Sequence, residues 1–163
     1  PWYDGDTINM SIVQGFLIVT PIGMCNFMAA LVNNGIVFKP QMVKEILSND
    51  NERIIRPYKR KKMREIPLSP NTLETVKKGM RMGAQTGTSA RLNSLKVPVA
   101  GKTGTAQTRS SRHEKFSQHA WFMGYGPHDG DPEKAVIVTV FVEYGIAGAA
   151  SAVPVAERIF ATL

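Results

Sequence analysis

Apolar positions fall into blocks of two different periods. Residues 21–32 place Met24, Phe27, Met28, Leu31 and Val32 at helical spacing, behind Thr20 as N-cap and Pro21 at the first helical position. Asn33-Asn34-Gly35 suits a left-handed end to that helix. A second helix opens at Ser69-Pro70, with Leu73, Val76 and Met80 on an apolar face and Lys77, Lys78 and Arg81 opposite, closed by Gly83 and Gly87. A last helix carries the stripe Ala152, Val155, Ala156, Ile159, Phe160 and Leu163. Between these lie extended stretches. Residues 42–47 and 52–56 flank the turn chemistry of Ser48-Asn49-Asp50-Asn51. Residues 97–107, 119–126 and 135–143 read as three further strands, and 108–118 as a polar loop. Residues 136–142 are apolar on both faces, as expected of a strand inside a sheet covered by helices on both sides. Short connections favour antiparallel neighbours. The fold class expected is α/β of the α+β type, an antiparallel sheet packed by helices. Residues 4–9 are expected as an irregular loop and 145–149 as a flexible turn.

Length and composition narrow the picture. A chain of 163 residues, 43% apolar and 20% charged, can build one globular core. No apolar run approaches the ~20 residues a membrane helix needs. The opening Pro1-Trp2-Tyr3-Asp4 has neither an initiator methionine nor a signal-peptide pattern, so the expectation is a piece of a longer protein. Cys25 is the single cysteine and reads as a small core residue. The net charge of +7 concentrates in Arg53, Arg56, Lys59, Arg60, Lys61, Lys62 and Arg64. With only Tyr58 as aromatic company, that run reads as a solvated loop and not as a base-stacking platform, and no nucleic-acid partner is expected. His113, His119 and His128 lack partners at metal spacing, and no cofactor is expected.

The candidate chemistry lies in Gly101-Lys102-Thr103-Gly104-Thr105-Ala106-Gln107. A phosphate loop would need glycine five residues before Gly101, where Lys96 stands. On a strand, Lys102 and Gly104 share one face and Thr103 and Thr105 the other. A twist or bulge at the glycine would bring ammonium and hydroxyls towards one carboxylate. A bare Gly104 would leave the strand edge open to an extended peptide.

Lys-Thr-Gly is a signature of penicillin-binding proteins and class A β-lactamases. Other segments agree with it in order and spacing. Gln14-Gly15 with Thr20-Pro21, the strand His119-Ala120-Trp121-Phe122-Met123-Gly124-Tyr125, residues 138–143, Gly148 and Ala152-Val153-Pro154-Val155-Ala156 resemble class B, elongation-type penicillin-binding proteins. The resemblance covers essentially the whole chain. Departures accompany it. No serine has lysine three residues later; Thr75-Val76-Lys77-Lys78 has the spacing on threonine but reads as mid-helix. Ser69-Pro70-Asn71 matches the serine-x-asparagine motif literally, at a helix cap and out of order. Val13 stands where a glycine is usual.

The resemblance implies the C-terminal portion, residues 1–163, of one transpeptidase domain with a β-lactamase/transpeptidase-like fold. The nucleophile motif would lie upstream, and the chain alone would be inactive. In such enzymes a serine attacks the penultimate D-alanine carbonyl of a peptidoglycan stem peptide, and β-lactams acylate the same serine. Lys102 would orient the substrate carboxylate. Thr103 and Thr105 would bind it, and the Thr105 backbone N–H would serve the oxyanion hole. Gly104 would keep the edge open, while Gln107 and Arg109, Arg112 and His113 would border the cleft. The implied partners are stem peptides, β-lactams, the upstream part of the same protein and the cell-wall elongation machinery, on the outer face of the cytoplasmic membrane. A β-lactamase or D,D-carboxypeptidase fragment, or a non-catalytic penicillin sensor or interaction domain, is the alternative.

Overall fold

The computed structural model describes residues 2–11, 17–107 and 118–163. Helix α1 spans Asp4–Ser11, where a loop was expected. Asp4 and Asp6 lie in its first turn, favourable for the helix dipole, and Tyr3 N donates to Asp6 Oδ2 at 2.9 Å. Helix α2, Pro21–Val32, begins as its sequence dictates, with Gly23 N donating to Thr20 Oγ1. It buries Met28, Ala30 and Val32, whereas Phe27 is exposed. Asn34 and Gly35 both take positive φ at its end, and a Cβ on Gly35 would meet the Ile66 carbonyl oxygen at 2.4 Å. Cys25 is half-buried.

Four short strands follow. β1 (Ile36–Phe38) pairs antiparallel with β4 (Lys62–Glu65), and β2 (Glu45–Leu47) with β3 (Ile54–Pro57) through the 48–51 turn. The basic run is therefore not wholly loop. Its end forms β4, which lacks alternation because all four residues are exposed and pairing with β1 supplies the order.

Helix α3, Pro70–Gln85, is capped by Ser69, whose Oγ accepts from Thr72 N at 3.1 Å. Its inner face differs from expectation. Leu73, Met80 and Ala84 are buried and Val76 is exposed. Lys77 and Arg81, expected on the outer face, turn inward: Lys77 Nζ donates to Val32 O and Asn34 Oδ1, each at 3.2 Å, and Arg81 Nη1 to Val99 O at 2.8 Å. Positions 73, 77, 80, 81 and 84 form one helical face, so the long cationic stems pack along it while their heads cap carbonyls. Thr75 bonds back to Asn71 O, a mid-helix structural role.

The main sheet holds β5 (Ala100–Gln107), β6 (Gln118–Gly126) and β7 (Val136–Val142) in that order, all antiparallel. β7 is an edge strand among the described residues, not an inner one. Its two apolar faces arise because helices cover both sides of the sheet. On one side Phe122, Val138 and Val140 pack with Val153, Ala156 and Phe160 of α4 (Val153–Phe160). On the other, Ala100 and Tyr125 pack with Met28 and Val32 of α2 and with Met80. Helix α3 gives Ala84 to the first cluster and Met80 to the second, so it straddles the sheet beside the start of β5. A turn of π-helix, Gly148–Ala152, replaces the end of the expected flexible turn and leads into α4. The stripe of α4 is Ala152, Val153, Ala156 and Phe160; Val155, Ile159 and Leu163 are exposed.

Candidate functional site

Strand β5 pairs with β6 from Ala100↔Tyr125 to Gln107↔Gln118 with no break in register. Of the twist or bulge expected at Gly104, the unbroken register excludes the bulge. Directly opposed residues share a face. Lys102 with Met123, Gly104 with Trp121 and Ala106 with His119 therefore face the α2 side. Thr103 with Phe122 and Thr105 with Ala120 face the α4 side.

The ammonium and the hydroxyls thus leave the strand on opposite faces. What gathers them is its edge. Lys102 is exposed and its Nζ donates to Thr103 O at 2.7 Å, curling the side chain back along the strand. Thr103 Oγ1 lies 2.6 Å from Thr88 Oγ1, which sits just past the end of α3. Gly148 N lies 3.4 Å from Thr105 Oγ1 as a donor. A Cβ on Gly148 would fall 2.6 Å from Trp121 O and 2.7 Å from Gly104 O, so only glycine lets the π-turn press against this part of the sheet.

A cavity of about 790 Å³ runs along this strand. Lys102, Thr103, Gly104, Thr105 and Gln107 all border it. Trp121, Met123 and Phe141 form an apolar wall, and Leu17, Ile18, Val19 and Met24 approach from the α2 side. Gly104 lies in the floor, where a Cβ would press on Trp121 Cβ at 3.3 Å and reduce the space. His119 stands beside Ala106, its Nδ1 accepting from Tyr144 N at 3.1 Å, which leaves the ring proton on Nε2 when the ring is neutral. Phe122 is fully buried on the far face, whereas Trp121 is cavity wall. Thr88 and Met24 also belong to this site, although neither stands out in the sequence: a threonine after a helix end is too common to point to a site.

The third histidine has a structural place. His128 Nδ1 lies 3.0 Å from the buried Tyr125 hydroxyl. Burial, and then the Arg81 guanidinium, hold the His128 ring below its ordinary value. Burial also raises Tyr125 and lowers Lys77. Gln14-Gly15, Arg109, Arg112 and His113 lie outside the described residues. Among the described residues, no three His, Cys, Asp or Glu side chains gather to hold a metal ion, and no helix is long and apolar enough to cross a membrane.

Comparison with known proteins places this geometry. The family described as the penicillin binding protein transpeptidase domain matches residues 1–161. The peptidoglycan D,D-transpeptidase MrdA of Haemophilus influenzae is 33% identical over 98% of this chain and 26% of its own length. The chain therefore spans about a quarter of that relative. A chain from a peptidoglycan synthase complex coordinating polymerization and crosslinking superposes with TM-score 0.79 at 32% identity, covering 99% of this chain and 26% of that one. The ceftriaxone acyl-enzyme of penicillin-binding protein A from M. tuberculosis gives TM-score 0.78 at 26% identity, covering 93% and 34%. The fold is of the transpeptidase type, as expected from the sequence.

Proposed function

Because this chain belongs to the penicillin-binding protein transpeptidase domain family, we propose that it is the C-terminal portion of a single peptidoglycan D,D-transpeptidase domain and forms one wall of its acyl-transfer cleft. The observation that carries the reading is the Lys102–Gln107 strand edge bordering an open cavity beside an apolar wall. A stem peptide lies extended along that edge. Its terminal carboxylate meets the positive field of Lys102 and the hydroxyls of Thr103 and Thr105. Thr88 holds the Thr103 hydroxyl in place.

A serine supplied by the protein outside these 163 residues attacks the penultimate D-alanine carbonyl. The Thr105 backbone N–H donates to the oxygen that gains charge. The C–N bond breaks, D-alanine leaves with the serine's proton on its amine, and an ester remains. The amine of a second stem peptide then attacks the ester, forms the cross-link and returns a proton to the serine oxygen. A β-lactam follows the first half of this path and stays bound as the acyl group. No serine of this chain has lysine three residues on, so the chain alone performs no acylation. The protein works at the outer face of the cytoplasmic membrane with the elongation machinery.

The test is covalent labelling of the complete protein with fluorescent penicillin. The expected result is one adduct per molecule on a serine outside these residues, and none on the isolated chain. Lys102→Ala should slow acylation at least about tenfold, the scale on which a bound carboxylate loses its charge partner, with the melting temperature unchanged. Equal rates in wild type and variant, or an adduct on a serine of this chain, would overturn the assignment.

A further inference from the structure

One polar group of the cavity has no use in the acyl-transfer reading. His119 lines the same concavity as Lys102 and is half-buried. Its Nδ1 accepts from Tyr144 N at 3.1 Å. That bond places the ring proton on Nε2, which is therefore a donor. Among the described residues nothing accepts from it.

The ring is held on two sides. Phe141 meets it edge-on at 5.2 Å and Tyr144 lies tilted at 5.3 Å. Tyr144 takes a left-handed backbone, φ 54°, which a bulky side chain rarely adopts. Such a conformation persists only where its surroundings fix it, and the bond to His119 is one of the contacts that do. The two nitrogens of an imidazole point to different sides of the ring, so anchoring Nδ1 at Tyr144 turns Nε2 away from that bond. Opposite His119 in the ladder stands Ala106, too short to fill the space between the ring and the outer edge of β5, which has no strand neighbour among the described residues.

Position along the strand says what reaches this donor. The row facing α2 reads Lys102 with Met123, Gly104 with Trp121, and Ala106 with His119. One end carries an ammonium, the middle is apolar, and the other end carries a ring N–H. Four residues of extended strand, about 13 Å, separate the ends. On the acyl-transfer reading, the ligand's carboxylate lies by Lys102 and Thr103 and its reacting carbonyl by Thr105 N–H. The residue before the penultimate D-alanine then passes Ala106, and its side chain is what His119 meets. No Asp or Glu lines the cavity among the described residues, so no carboxylate of the wall competes for the donor. An ionised carboxylate on the ligand is the strongest acceptor it can take.

We infer that His119 is a specificity-determining residue of this site, its Nε2–H binding a carboxylate on the side chain of the stem-peptide residue that precedes the penultimate D-alanine; this rests on the acyl-transfer reading. The test measures acylation of the complete protein by benzylpenicillin and by carbenicillin, which differ by one side-chain carboxylate. The penicillin side chain stands where the rest of a stem peptide would. The carbenicillin-to-benzylpenicillin rate ratio should fall at least about tenfold in His119→Asn, the scale of a hydrogen bond to a charged group. Asparagine Oδ1 takes the place of Nδ1 as acceptor for Tyr144 N, but nothing takes the place of Nε2. In His119→Gln the side-chain amide nitrogen stands near Nε2, and most of the ratio should return. Both penicillins react with the same folded molecules, so the ratio within a variant is independent of how much of it folds. A purely structural histidine would slow both penicillins alike. An unchanged ratio in His119→Asn, or a ratio as low in His119→Gln, would overturn the assignment and leave the acyl-transfer reading in place. Failure of the wild-type protein to react with either penicillin would overturn both.

Discussion

Phe122 lies across two opposed glycines, Gly101 and Gly124, and this contact explains why the residue before Lys102 has no side chain. A Cβ on Gly101 would stand 2.5 Å from Phe122 Cζ and one on Gly124 2.6 Å from the same atom. The ring is held from above by Phe160, edge-on at 6.5 Å. Gly101→Ala must therefore move a fully buried ring. It should destabilise the fold by about 1–3 kcal/mol through overpacking, read from the denaturant midpoint of the 163-residue chain or the complete protein. An unchanged midpoint would mean the ring relocates freely. Glycine within a strand suggests close approach by a ligand or backbone; at Gly101 the approaching group is the protein's own aromatic core.

The helices are specified mostly at their starts. Thr20 and Ser69 each precede a proline, each takes an extended backbone, and each hydroxyl accepts the backbone N–H of the third helical residue. Replacing either by alanine orphans that donor and should cost about 1 kcal/mol, measured by chemical denaturation of single variants. The two caps are far apart in sequence and belong to different helices, so their effects should add in the double variant. A loss confined to one of them would show that tertiary packing alone holds the other helix end. Faces are decided differently. Lys77 and Arg81 look like solvent residues by type, yet each heads a buried-side position where a carbonyl awaits a donor.

Across the whole molecule, α3 is tied to the sheet by a polar seam as well as by Met80 and Ala84. Arg81 bonds Val99 O, and beside it the buried Tyr125 hydroxyl meets His128. Burial first, and then the Arg81 guanidinium, make His128 bind its proton less readily in the folded chain than at its ordinary value of 6.5; Asp129 opposes this and Lys77 adds to it. Folding therefore excludes a proton that the unfolded chain takes up. The stability from this group is complete above about pH 6.5 and falls as the pH drops below it. Melting temperatures should decline between pH 7 and 5, and His128→Gln should flatten that interval. An unaltered slope in the variant would assign the decline elsewhere. Exposed carboxylates lowered by neighbours, such as Glu74 beside Lys78, act in a more acidic range.

The linear order of residues determined whatever depends on near neighbours. Cap-proline pairs began α2 and α3, turn residues 48–51 joined β2 to β3, and alternation with long apolar runs marked β5, β6 and β7. The family was legible for the same reason, since its motifs are local strings such as Gly101–Gln107. Tertiary structure decided what depends on contacts distant in sequence. Exposed β4 is a strand because β1 lies beside it. The helices on both sides of β7 were legible from its two-sided apolar run, whereas its place at the edge of the sheet among the described residues was decided by strand pairing. The opposite faces of Lys102 and the two threonines follow from strand alternation and were legible in the sequence; pairing with β6 leaves no bulge at Gly104, and it is the cavity along the strand edge that brings them to one site. Thr88 joins Thr103 only because α3 ends beside β5, a position fixed by packing against both sides of the sheet and by no property of residue 88 itself.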